Sequence, residues 1–119
     1  MYEKYAENAL RLLGESGRGT KYTLRELCRE LGMILKTVEG ETKAAGYAVL
    51  VDERAYILLS TRRSAKERQF ALAHEAAHIL LGHLGDYMGI RGRELSKAEQ
   101  ENEANDFAVR ILSFLSKNI

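Results

Sequence analysis

Residues Phe70–His83 read FALAHEAAHILLGH, and this stretch decides the fold. All three histidines of the 119-residue chain lie in it, with Glu75 beside the first, inside an otherwise apolar run. Just upstream, Ser64 and Glu67 in SAKE have the spacing of a capping box, in which a hydroxyl and a glutamate three residues on satisfy each other's orphan amides. The pattern predicts a helix from Ser64 through the histidines to about Leu81.

His74-Glu75-Ala76-Ala77-His78 has the spacing HExxH. On a helix, positions i and i+4 differ by about 40° of rotation, so both imidazoles leave one face and can hold one tetrahedral Zn2+ ion. Glu75 lies about 100° around from His74, poorly placed as a ligand but within reach of a water at the metal, where it would serve as general base. Zinc acidifies water and polarises a carbonyl, the combination that peptide hydrolysis requires. The competing reading is a buried helix with two hydrogen-bonded core histidines. The small flanking residues Ala73, Ala76 and Ala77 leave room for a metal and a substrate, which favours the first reading. His83 is an alternative ligand, but in a continuing helix it points about 180° away from His74 and needs a turn at Gly82 to return. Its spacing also misses the metzincin pattern, so it reads as a helix-end residue favoured by the dipole.

A catalytic zinc usually takes three protein ligands, and the last predicted helix offers Glu99, Glu101, Glu103 and Asp106. That helix opens at a further capping box, Ser96 with Glu99, and carries Ala104, Phe107, Ala108, Ile111, Leu112 and Leu115 on one face. With Phe107 as zero, these apolar positions span about 140°; Glu101 falls inside the sector near 120° and Glu103 outside it near −40°. A carboxylate on a packing face needs a partner, so Glu101 is the stronger candidate and Glu103 the alternative. Asn105, four residues after Glu101, lies on the same side and is placed to steady the region.

Toward the N-terminus, YEKYAENALRLL spaces Tyr5, Ala9, Leu12 and Leu13 along one helical face, with Gly14 as a stop. The polar loop ESGRGTKY comes next. Thr23 and Glu26 cap a second short helix, on which Leu24, Leu27, Cys28 and Leu31 repeat until Gly32. Between Met33 and Thr61, MILKTV, GYAVLV and RAYILLS are short and rich in β-branched or aromatic residues, separated by the turn segments EGETKAA and DE. The expected class is α+β: one domain over residues 1–119, with a small, mostly antiparallel sheet, an active-site helix and a ligand helix after it.

Eighteen Lys+Arg against seventeen Asp+Glu, a net charge of +1, give no electrostatic reason to expect nucleic acid or an anionic membrane as partner. A single cysteine, Cys28, excludes an intrachain disulfide and reads as a core residue. No signal-like segment or bilayer-length apolar run is present, so the expected compartment is the cytoplasm.

HEAAHILLGH together with ENEANDFA resembles the ImmA/IrrE family of metallopeptidases. The resemblance implies a zincin-like fold, with zinc on His74, His78 and Glu101, Glu75 as the catalytic glutamate, and a supporting role for Asn105. It also implies a protein substrate, a helix-turn-helix repressor of the kind carried by phages and mobile elements or regulating stress responses. The departure is at the end: AVRILSFLSKNI lacks the leucine-rich segment with proline that often continues the chain in the family, so the expectation is that substrate-recruiting parts are either missing or supplied by a partner.

The primary expectation is therefore a zinc endopeptidase that aligns its substrate along an exposed strand such as AYILLS. The alternative is a binding module that acts on a repressor by occupancy. A DNA-binding reading of TLRELCRELG fails because the next segment, MILKTV, is strand-like where a recognition helix would be required. Tyr87, in LGDYMGIRG, is a candidate oxyanion donor, although a solvated loop tyrosine is the simpler reading.

Overall fold

The computed structural model describes residues 2–16, 23–39 and 44–117. The elements in chain order are α1 (Tyr2–Ser16), α2 (Leu24–Glu30), β1 (Ile34–Val38), β2 (Gly46–Val51), β3 (Arg54–Ser60), α3 (Ala65–Leu80) and α4 (Lys97–Lys117). Most of the polar loop after α1, and the centre of the turn segment before β2, lie outside the described residues.

Local capping chemistry sets the helix starts. Thr23 and Ser64 each accept from the amide three residues on while Glu26 and Glu67 reach back to the cap amide, and Ser96 and Glu99 exchange the same two bonds at 3.1 Å. Gly14 does not stop α1, which runs on to Ser16. Gly14 faces α4, where a Cβ would lie 3.6 Å from the Phe114 ring, an ordinary packing distance.

The sheet has the order β1-β3-β2. β2 and β3 form the expected antiparallel hairpin, closed by Asp52 and Glu53, both at positive φ (50° and 66°), the signature of the type I′ turn whose twist matches the strands. β1 instead runs parallel to β3, making the sheet mixed. The connection from β1 returns to the far side of the hairpin, so β3 is central and paired on both edges. Its alternation fits that place: Ala55, Ile57 and Leu59 are buried, while Tyr56 and Leu58 are half-buried on the other face. This corrects one expectation, because the central strand AYILLS has no free edge to offer a substrate. β2 is the outer strand beside α3.

α3 lies across β2 and β3 and packs against α4, whose Ala104, Phe107, Ala108 and Ile111 are fully buried. Small residues on α3, Ala73, Ala76 and Ala77, are likewise fully buried and let these layers approach closely. α1 rests on α4, and α2 rests on α3 and β1, with Cys28 wholly inside the core. Burial pushes the Cys28 thiol up to about 12. α2 leads into strand β1 rather than a second helix, which removes the helix-turn-helix reading. No helix among the described residues is long and apolar enough to cross a membrane.

Candidate metal centre

The i, i+4 spacing on α3 brings the two imidazoles together as the helix geometry requires. His74 Nε2 and His78 Nε2 lie 3.1 Å apart, with the ring centroids 4.7 Å apart. Glu101, on the facing turn of α4, completes the group: its Oε2 is 3.0 Å from His74 Nε2 and its Oε1 is 3.4 Å from His78 Nε2. All three residues offer donor atoms within 4.8 Å of one another.

The donor set fits a metal ion. Two imidazole nitrogens that face each other across 3.1 Å can share at most one proton, and a carboxylate closes the third side. Ligands of one tetrahedral ion with bonds of about 2.0–2.1 Å stand roughly 3.3 Å apart, close to the separations here. Two histidines and a glutamate leave the fourth position open.

Glu75 projects from the adjacent face of α3 into a cavity of about 640 Å³, which is lined also by Gly46, Phe70, His74 and Asn105. β2 approaches so closely here that a Cβ on Gly46 would meet Leu58 O at 3.1 Å and Glu75 Cγ at 3.3 Å. Burial, reinforced by the charge of Glu101, pushes the Glu75 carboxyl up to about 7. Burial first, and the neighbouring His74 second, hold His78 well below the usual imidazole range, which favours the neutral form that binds metals. Asn105 stands one turn beyond Glu101, exposed at the cavity rim.

The remaining candidates fall elsewhere. The chain does turn at Gly82 (φ 75°), in a Schellman motif with His83 N–H donating to His78 O at 3.0 Å and Gly82 N–H to Ile79 O at 3.3 Å. The turn folds His83 back onto the far side of His78, ring nitrogen to ring nitrogen at 2.8 Å between the two Nδ1 atoms. His83 thus sits at the helix end, as expected, but buried behind His78 and outside the donor group of His74, His78 and Glu101. Glu103 is also drawn away from the metal group: it accepts from His83 Nε2 at 2.9 Å and from both terminal nitrogens of Arg93. Although burial opposes its charged form, the hydrogen bonds from Arg93 and His83 hold the Glu103 carboxyl below the usual range. Tyr87 is buried and donates its hydroxyl to Leu31 O at 2.6 Å, so it is committed to the end of α2 and not available as an oxyanion donor.

Nothing in the sequence marks out Arg93. It donates to Leu81 O and Gly82 O at the end of α3, lies 4.2 Å from the centre of the Tyr5 ring, and grips Glu103. One of eighteen cationic residues, in a loop without periodicity, it carries no local signal.

A short α+β domain whose long helix and following helix jointly present two histidines and a glutamate around one point defines a class, the helix-built metallopeptidase centre. The family profile of the IrrE N-terminal-like domain, Peptidase_M78, matches residues 25–112. The chain belongs to this ImmA/IrrE family of metallopeptidases, and its fold is accordingly zincin-like. A search of curated proteins returned no match.

Proposed function

We propose that the protein is a zinc endopeptidase of the cytoplasm whose substrate is a helix-turn-helix repressor. The observation that carries the reading is the convergence of His74, His78 and Glu101 beside a cavity that also holds Glu75. Zinc bound there would supply Lewis-acid polarisation of the scissile carbonyl and acidify a water molecule. Glu75 would accept the proton from the attacking water and deliver it to the departing amine. Its partly buried carboxyl, raised toward neutrality, suits a group that must take and return a proton.

The outer edge of β2, unpaired among the described residues, runs past this point, and an extended substrate segment would pair with it as an added strand. Gly46, without a side chain, keeps that approach to Glu75 clear. Asn105 at the rim would steady substrate or the ligand helix. A repressor as substrate rests on the family likeness.

The test is cleavage of candidate helix-turn-helix repressors, read by mass spectrometry, by the zinc-loaded protein and by Glu75→Gln. Discrete fragments with the wild type, and a loss of about 10²–10⁴-fold in Glu75→Gln at unchanged zinc content, are expected. Equal relief of repression by both forms, without fragments, would replace catalysis with binding by occupancy.

A further inference from the structure

Behind His78, on the side away from Glu101, stands a line of buried polar groups that the proposed chemistry does not use. His83 and Arg93 have side chains 0% and 7% exposed, and Glu103 only 16%. The line begins at the Arg93 guanidinium, which donates to both oxygens of Glu103, passes from Glu103 Oε1 to His83 Nε2 at 2.9 Å, and ends with His83 Nδ1 at 2.8 Å from His78 Nδ1.

Donor and acceptor rules give this line one direction. The Glu103 carboxylate, gripped by Arg93, is an acceptor, so His83 must donate to it from Nε2. Arg93 already balances Glu103, and a second buried cation would be uncompensated, so His83 is neutral and its Nδ1 carries a lone pair. The proton between the two Nδ1 atoms then belongs to His78. With Nδ1 protonated, the lone pair of His78 resides on Nε2, the atom that faces His74 and Glu101. His74 is different: its Nδ1 is buried with no hydrogen-bond partner among the described residues.

We propose that Arg93, Glu103 and His83 form a positioning chain that selects the Nδ1–H tautomer of His78 and fixes its ring, so that Nε2 is presented to the metal before the metal arrives. The proposal rests on the metal-centre reading and adds an asymmetry to it. His78 is the pre-set ligand, whereas His74 is held by packing. Orienting partners of this kind typically change metal affinity by about 10–100-fold.

Two measurements test it. The first is the 15N spectrum of the histidine rings in the metal-free wild type at neutral pH, assigned with single His→Gln variants. His78 as the Nδ1–H tautomer and His83 as the Nε2–H tautomer are expected; His78 as Nε2–H overturns the proposal whether or not any variant folds. The second is Zn2+ affinity by competition with a chromophoric chelator. His83→Asn, whose amide oxygen can stand where Nδ1 stood, is expected to stay within about threefold of wild type. His83→Gln and Glu103→Gln are expected to bind about 10–100-fold more weakly with native circular dichroism. Equal affinity in all four proteins overturns the positioning role. Nδ1–H on His78 in a wild type that binds no zinc would support the hydrogen-bond chain and refute the metal centre instead.

Discussion

His83 Nδ1 lies 2.8 Å from His78 Nδ1 because the chain reverses at Gly82, so a histidine five residues beyond the HExxH motif braces its second histidine from behind. The contact joins the end of α3 to α4 through Glu103, and to α1 through Arg93 stacked on Tyr5. The proposed metal site, helix termination and core packing are thus coupled at one point.

Metal binding should depend on α4 as much as on α3. About one zinc per chain is expected in dialysed wild type and little in Glu101→Ala, measured by elemental mass spectrometry. Zinc at a hundred times its dissociation constant should stabilise the wild type by about 2.7 kcal/mol, and the gain should be largely lost in Glu101→Ala. A variant with full zinc content would remove Glu101 from the ligand set.

Gly82→Ala tests the turn itself. A Cβ there would stand 2.3 Å from Arg91 O, on a residue at φ 75°. The backbone conformation alone costs about 1–3 kcal/mol for a side-chain-bearing residue, and the clash adds to it. Chemical denaturation should show at least that loss, with zinc affinity falling as His83 is displaced. Wild-type stability in the variant would contradict the turn geometry.

The β2–β3 hairpin should be improvable. Glu53 holds φ 66° in the second central position of a type I′ turn, where glycine is preferred after aspartate. Glu53→Gly is expected to raise stability by up to about 1 kcal/mol with no effect on zinc content. A loss in the thermal midpoint would count against the turn type.

Cys28 gives the pH dependence its alkaline side. Its folded value is raised to about 12 from the ordinary 9.0, so the folded state binds the proton more tightly than the unfolded chain. The associated stability is fully present below pH 9 and is lost as pH rises toward 12. Denaturation midpoints should fall over that window, less steeply in Cys28→Ala. Native protein should alkylate at pH 8 at least about a hundredfold more slowly than unfolded protein. Rapid labelling without unfolding would show that the thiol is not enclosed.

Much of this protein was legible without its fold. The three capping boxes at Thr23, Ser64 and Ser96, the strand alternation and the i, i+4 histidines are local features, set by hydrogen bonds and rotations within a few residues of one another. Helical rotation put Glu101 on the packing face, and the structure brings it to both histidines. The same rotation put Glu103 outside that face, yet its side chain is the less exposed of the two, 16% against 40%, because His83 and Arg93 reach it from outside α4. What only the tertiary structure decided involves partners distant in the chain. β1 pairs parallel with β3, closing AYILLS on both edges, because its connection crosses to the far side of a hairpin. Tyr87 is spent on Leu31, 56 residues away, and Arg93 finds Glu103 and Tyr5 by packing. Periodicity tells which side of an element is buried; it does not tell which other element arrives there, and hydrogen-bond direction in a buried cluster is set by that arrival.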